Sequence, residues 1–159
     1  MRTRVDGNKF QNEFSKSISE SFYVLRLPTL NTGYSGLTQP ADFIVFGKVP
    51  AFVETKETGN DAFSISQMEQ LEAMKDFEKH RTMYRTMNLN YYVVVHFIKR
   101  HTLKVIAAEE ALDLYHRRKQ LHYNDAIGLQ YTTLDELREG GIFNNGCKKR
   151  QKHKDADNV

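Results

Sequence analysis

The order of hydrophobic patterns along the chain predicts an α/β fold, a mixed central sheet with flanking helices. Three observations carry that expectation. Phe10, Phe14 and Ile18 recur at i, i+4 and i+8, the period of one helix face. Residues 41–46 (ADFIVF) and 51–56 (AFVETK) flank the short connection Gly47-Lys48-Val49-Pro50, a β-hairpin pattern. Residues 91–98 (YYVVVHFI) are near-continuously apolar and rich in β-branched side chains, as in a strand covered on both faces.

Taken in order, the first helix is expected over residues 8–20, with Gly7 before it and polar residues on its other faces. Residues 22–27 (FYVLRL) are strand-forming and stop at Pro28, and 29–39 (TLNTGYSGLTQ) reads as an exposed loop. After the hairpin, Ser66 followed three residues later by Glu69 has the capping-box pattern, which satisfies orphan N–H groups at a helix start. A second helix is therefore expected from there to His80, with Met68, Leu71, Met74 and Phe77 at helical spacing. Lys99-Arg100-His101 separates strand 91–98 from strand 102–107, a second hairpin or strand pair. Residues 108–119 carry Leu112 and Tyr115 or His116 on one side and predict a third helix. Thr133 to Glu136 opens a short last helix that Gly140-Gly141 ends. The order is α-β-β-β-α-β-β-α, a mixed layer and not a regular βαβ winding.

With 159 residues the chain has the length of one ordinary domain, enough to bury a core without staples. Hydrophobic residues make up 40% and charged residues 27%, which excludes collagen-like, low-complexity and wholly disordered chains. The net charge is +3, yet residues 147–159 alone hold five Lys/Arg and two Asp/Glu, which leaves 18 positive and 18 negative groups on the body. We therefore expect a balanced domain over 1–146 and a basic, disordered tail over 147–159 that makes non-specific phosphate contacts. The lone Cys147 has no partner for a disulfide or a zinc pair, which suits a reducing cytosol. No apolar leader or membrane-spanning run occurs, so a cytoplasmic protein is expected. No repeat of 20 to 50 residues points to a solenoid or propeller.

Phosphate-loop, dinucleotide, HExxH and CxxC motifs are all missing from the sequence, which leaves the acidic residues of the first hairpin. Glu54 and Lys56, two apart in a strand, leave one face, while Val53 and Thr55 leave the other. A turn centred near 48 and 49 pairs residues whose numbers sum to about 97, which sets Asp42 across from Thr55 and within one residue of Glu54 and Lys56. A bulge or an odd loop would make that pairing direct. Two carboxylates about 4 Å apart repel by about 4 kcal/mol at an effective dielectric of 20. Lys56 can offset this, but Mg²⁺ does so better, because it takes one or two carboxylates together with waters and phosphate oxygens. Such a site suits metal-assisted phosphodiester hydrolysis.

Asp42, eleven intervening residues, then Glu54-Thr55-Lys56, after a helix bearing Glu13 and a strand, resembles the PD-(D/E)XK nuclease superfamily. Within it the chain is most similar to RecU-type Holliday-junction resolvases, through FVETKETGNDAFSISQMEQLEAM (52–74), YYVVVHF, LKVIAAEEAL and YTTLDEL, over most of residues 7–139. The resemblance implies a restriction-endonuclease-like αβββαβ core and Mg²⁺, with Mn²⁺ as a substitute. It assigns Asp42 and Glu54 to the metal, the Thr55 carbonyl as a third ligand, and Lys56 as the catalytic lysine. It places Glu13 on the first helix as a carboxylate that supports the metal directly or through water. Gln70, with Gln67 a turn earlier as the lesser candidate, would position water, phosphate or Lys56.

The resemblance also implies a homodimer that acts on four-way DNA junctions in recombination and repair, with a recombinase as a further partner. Two departures stand out. Ala41 separates Pro40 from Asp42, and residues 29–39 are shorter than the stalk that these resolvases insert before the catalytic hairpin. The alternatives are a restriction-like or repair nuclease on flaps or duplex DNA, and a non-catalytic DNA-binding recombination modulator. Basic groups at Lys79, Arg81 and Arg85, at Lys99, Arg100 and Lys104, and at Arg117-Arg118-Lys119 would surround the acidic site, with Tyr34, Tyr84 and Tyr91 available to stack on bases. His96, inside an apolar strand, reads as a core residue and not a ligand.

Overall fold

A computed structural model describes residues 7–28, 39–83 and 88–145. Most of the expected loop 29–39, Tyr34, Tyr84, Arg85 and the tail 147–159 lie outside the described residues. The chain opens with helix α1 (Gly7–Ile18), then strands β1 (Tyr23–Arg26), β2 (Phe43–Phe46) and β3 (Pro50–Thr58). A two-residue strand β4 (Ala62–Phe63) and a 3-10 turn (Ile65–Gln67) lead to α2 (Leu71–Met83). Strands β5 (Asn90–Phe97) and β6 (Thr102–Ala107) precede α3 (Ala108–His116), β7 (Leu121–His122), β8 (Leu129–Tyr131), α4 (Leu134–Glu139) and the single turn α5 (Ile142–Asn145).

Six strands form one mixed sheet in the order β1-β2-β3-β5-β6-β8, and β4 pairs with β7 apart from it. Only β3 and β5 run parallel, so a crossover must join them, and α2 supplies it. Period-two alternation along β5 explains its continuous apolar run. Tyr91, Val93, Val95 and Phe97 pack with Met74 of α2 and with Ala111, Leu112 and Leu114 of α3. Tyr92 and Val94 pack on the opposite face with Phe10, Phe14 and Ile18 of α1, Leu137 of α4 and Phe143 of α5. Both faces are thereby covered, as the sequence pattern requires. The α/β class and the α-β-β-β-α-β order are those read from the sequence, with β4 set aside in the second sheet.

Several local expectations change. The hairpin pairs Phe43 with Val53 and Phe46 with Pro50, a sum of 96, so the turn is the three residues 47–49. Continued by one step, this register sets Asp42 opposite Glu54 and not opposite Thr55. Glycine is required in the turn, because a Cβ on Gly47 would lie 2.0 Å from the Phe143 carbonyl oxygen. That same oxygen accepts the Lys48 N–H at 2.9 Å, which clamps α5 onto the hairpin. The second helix starts at Leu71, not at Ser66. Ser66 instead lies in the 3-10 turn, its hydroxyl 2.7 Å from that of Ser64, and Met68 turns extended to enter the core. The helix expected over 108–119 ends at His116, and a further turn, α5, follows Gly140-Gly141. Among the described residues, no helix is long and apolar enough to cross a membrane.

Candidate active site

β3 is longer than β2, and the site forms where β2 begins and β3 runs on. The ladder between them stops at Phe43 and Val53, while β3 continues to Thr58 beside β5. Beyond that point the N–H of Thr55 needs an acceptor in place of a ladder carbonyl. Asp42 provides it: its Oδ2 accepts the Thr55 N–H at 2.8 Å and the Thr55 hydroxyl at 2.7 Å. In a strand, the N–H and C=O of one residue point the same way, so the Thr55 carbonyl is directed toward the same edge. Gln11 of α1 donates to the other oxygen of Asp42, Oδ1, at 3.3 Å. Gln11 is itself held by Arg26 of β1, whose guanidinium donates to Gln11 Oε1 at 2.6 Å and to Asn12 Oδ1 at 2.8 Å.

Glu54 faces the α2 side of the sheet and is 1% exposed. Neither of its carboxylate oxygens has a hydrogen-bond partner among the described residues. Lys56 Nζ lies 3.2 Å from Glu54 Oε1, close enough for an ion pair but off line for a hydrogen bond. Burial, reinforced by the negative charge of Asp42 and opposed by Lys56, pushes the Glu54 carboxyl up to about 8. Tyr91 completes this wall. Its hydroxyl donates to the Pro40 carbonyl, and burial together with the charges of Glu54 and Asp42 raises its pKa. Tyr91 is thus a buried support beside the two carboxylates, not a platform for stacked bases. Lys104 is likewise buried, its ammonium donating to the Asp125 carbonyl, and does not belong to the basic surface expected of it.

Gln70 is buried, and its Oε1 has no hydrogen-bond partner among the described residues. Its carbonyl accepts the N–H of Met74, so it stands one turn before that core residue, on the sheet-facing side of α2. Gln67, by contrast, is exposed in the 3-10 turn. Glu13 does not join the site. It is exposed, and at 100° per residue it lies on the flank of the Phe10-Phe14 stripe opposite to Gln11, the residue that reaches Asp42. The carboxylate expected from the first helix is therefore replaced, in position, by an amide.

The remaining donor set is Asp42, Glu54 and the Thr55 carbonyl. Among the described residues no group of three or more His, Cys, Asp or Glu side chains is placed to hold a metal ion. Two carboxylates nonetheless meet the needs of Mg²⁺, which keeps several waters. The two unpartnered oxygens of Glu54 are what such an ion would satisfy.

Sequence reasoning missed Gln11, the supporting role of Tyr91, and a second polar pair on β3 and β5. Glu57 and His96 are direct neighbours across the parallel ladder, with Oε2 and Nδ1 2.7 Å apart and the imidazole 5.0 Å from the Phe10 ring. His96 is accordingly a satisfied, half-buried residue. A histidine inside an apolar strand was the available signal, but only the strand register joins it to Glu57. In comparisons with known proteins, the chain matches no family model, and no curated protein matches it.

Proposed function

We propose that the protein is a Mg²⁺-dependent endonuclease that cleaves branched DNA, a Holliday-junction resolvase acting in recombination and repair. One observation carries this reading: a carboxylate, Glu54, is buried with both oxygens unsatisfied, beside a second carboxylate and a lysine on the same sheet end. Lys56 offsets only part of the cost of burying that charge, since the carboxyl is still pushed up to about 8, so the arrangement is poised for a further cation. Asp42, Glu54 and the Thr55 carbonyl would hold it. When bound, a divalent ion supplies the positive charge that neutralises the carboxylates and polarises the scissile phosphate.

The chain's own residues account for the rest. Lys56, 29% exposed at its side chain, is the one member of the set that reaches the site mouth. Its ammonium meets the phosphate and stabilises negative charge on the attacking oxygen. Gln70 presents an amide from the start of α2 to orient water or a phosphate oxygen. The Arg26-Gln11 relay and Thr55 fix the rotamer of Asp42, so the carboxylate is preorganised before substrate arrives. Paired nicks across a four-way junction need two such sites, which implies a homodimer.

Cleavage of four-way, Y-shaped and linear duplex DNA at matched salt tests the reading. The expected result is Mg²⁺-dependent, symmetric nicking of the four-way junction in preference to the other two. Equal cleavage of linear duplex would assign a restriction-like or repair nuclease instead, and DNA binding without cleavage in Mg²⁺ or Mn²⁺ would assign a non-catalytic modulator.

A further inference from the structure

The C-terminal end of α3 holds an arginine where backbone geometry favours glycine. The Lys119 N–H bonds back to the Leu114 carbonyl at 2.9 Å and the Arg118 N–H to the Tyr115 carbonyl at 3.1 Å. This is the double closure of a Schellman motif, whose left-handed position is usually glycine. Here it is Arg118, at φ 55°. Among the described residues the strain has no compensating side-chain contact. Arg26, Arg81, Arg100, Arg117 and Arg138 each have a carboxylate or amide partner, whereas Arg118 and Lys119 have no side-chain partner among the described residues.

Both cations border a groove of about 490 Å³, shared with Ser64, Ser66, Tyr115 and His122 and lined by no carboxylate among the described residues. Nearer the start of α3, the neighbouring cavity is lined by Glu78, Glu109, Glu110 and Asp113 and would repel an anion. Two unneutralised cations, an imidazole, two hydroxyls and a tyrosine ring are the groups that phosphate oxygens and a sugar-phosphate chain engage. The groove also lies close in sequence to the candidate site. Ser66 precedes Gln70 by four residues, so their Cα atoms are at most about 14 Å apart, roughly four steps of a duplex axis.

We propose that this groove binds the phosphodiester backbone of a DNA arm next to the candidate active site, an inference that rests on the nuclease reading. Arg118 and Lys119 each neutralise one phosphate, and one hydroxyl of the hydrogen-bonded Ser64-Ser66 pair donates to a third. Backbone strain at Arg118 is retained because the arginine serves the ligand and not the fold.

The test is anisotropy of a labelled four-way junction with the full chain in EDTA, across a salt series, for the protein, Arg118→Gly and Arg118→Gly/Lys119→Ala. Glycine relieves the left-handed strain, so Arg118→Gly is expected to melt no lower than the parent while it binds roughly tenfold more weakly at 0.1 M salt. The slope of log affinity against log salt is expected to flatten by about 0.9 for the single variant and about 1.8 for the double. Unchanged affinity and slope in both variants, with the parent binding and nicking junctions, would overturn the groove and leave the nuclease reading standing. That is also the outcome if the groove serves an acidic peptide. A parent chain that binds no DNA would overturn both.

Discussion

Glu54 concentrates the cost of the site in one residue. The unfolded chain releases its Glu54 proton near the ordinary 4.5, whereas the folded protein holds it until about 8. Between those values the folded state binds more protons, so metal-free stability is full below the lower value and is lost as pH rises through the upper one. The difference is on the order of a few kcal/mol. In EDTA, the melting temperature is expected to fall from pH 5 to pH 8, and Glu54→Gln is expected to flatten the profile and melt higher at pH 8. A pH-independent melt of the parent protein would contradict the burial of a carboxyl that Lys56 only partly compensates. At this scale the sequence reveals residue types but not partners. Asp42, Glu54 and Lys56 are legible because strand alternation and spacing select them, whereas Gln70 is singled out only by the family resemblance. Gln11 and Glu13 are two residues apart on one helix, and choosing between them needs the direction from which α1 crosses the sheet.

At the scale of elements, strands β2, β3, β5 and β6 and helix α1 follow from periodicity alone, because burial of one or both faces writes itself into every second or every third and fourth residue. Helix ends are less legible. The Ser66…Glu69 pattern satisfies the local capping rule, yet Met68 gains more by entering the core in extended form, so the helix waits until Leu71. The single turn α5 has too few residues to show a period, and its role is tertiary: its Phe143 carbonyl caps the β2-β3 hairpin. That contact makes a specific demand on Gly47. Gly47→Ala forces a methyl group against backbone at 2.0 Å and is expected to cost about 1–3 kcal/mol or more in chemical denaturation. Stability equal to the parent would show that α5 does not hold the turn.

For the whole molecule, charge placement matters more than net charge. The +3 is accounted for by residues 147–159, which lie outside the described residues, while the body balances its acidic candidate site with basic surfaces such as the α3 groove. Removing 147–159 is expected to weaken DNA binding most at low salt and to leave Mg²⁺-dependent cleavage in place. Loss of cleavage on truncation would mean that the tail belongs to the catalytic domain. The fold class was legible here because a strand apolar on both faces and a hairpin pattern, set between helical patterns, suffice to predict a mixed sheet, although the odd length of the hairpin turn did not show. The separate β4-β7 pair was not, since two-residue strands carry no pattern.

In the proposed reaction, Glu54 and Lys56 carry metal-dependent phosphodiester cleavage. Single-turnover nicking of a labelled mobile four-way junction by the parent protein, Glu54→Gln and Lys56→Ala, each with and without Mg²⁺, measures it directly. The account predicts symmetric nicks by the parent only with Mg²⁺, and a loss of at least about 100-fold in either variant while junction binding in EDTA persists. Nicking that survives in both variants, or that proceeds in the parent without a divalent ion, would contradict it.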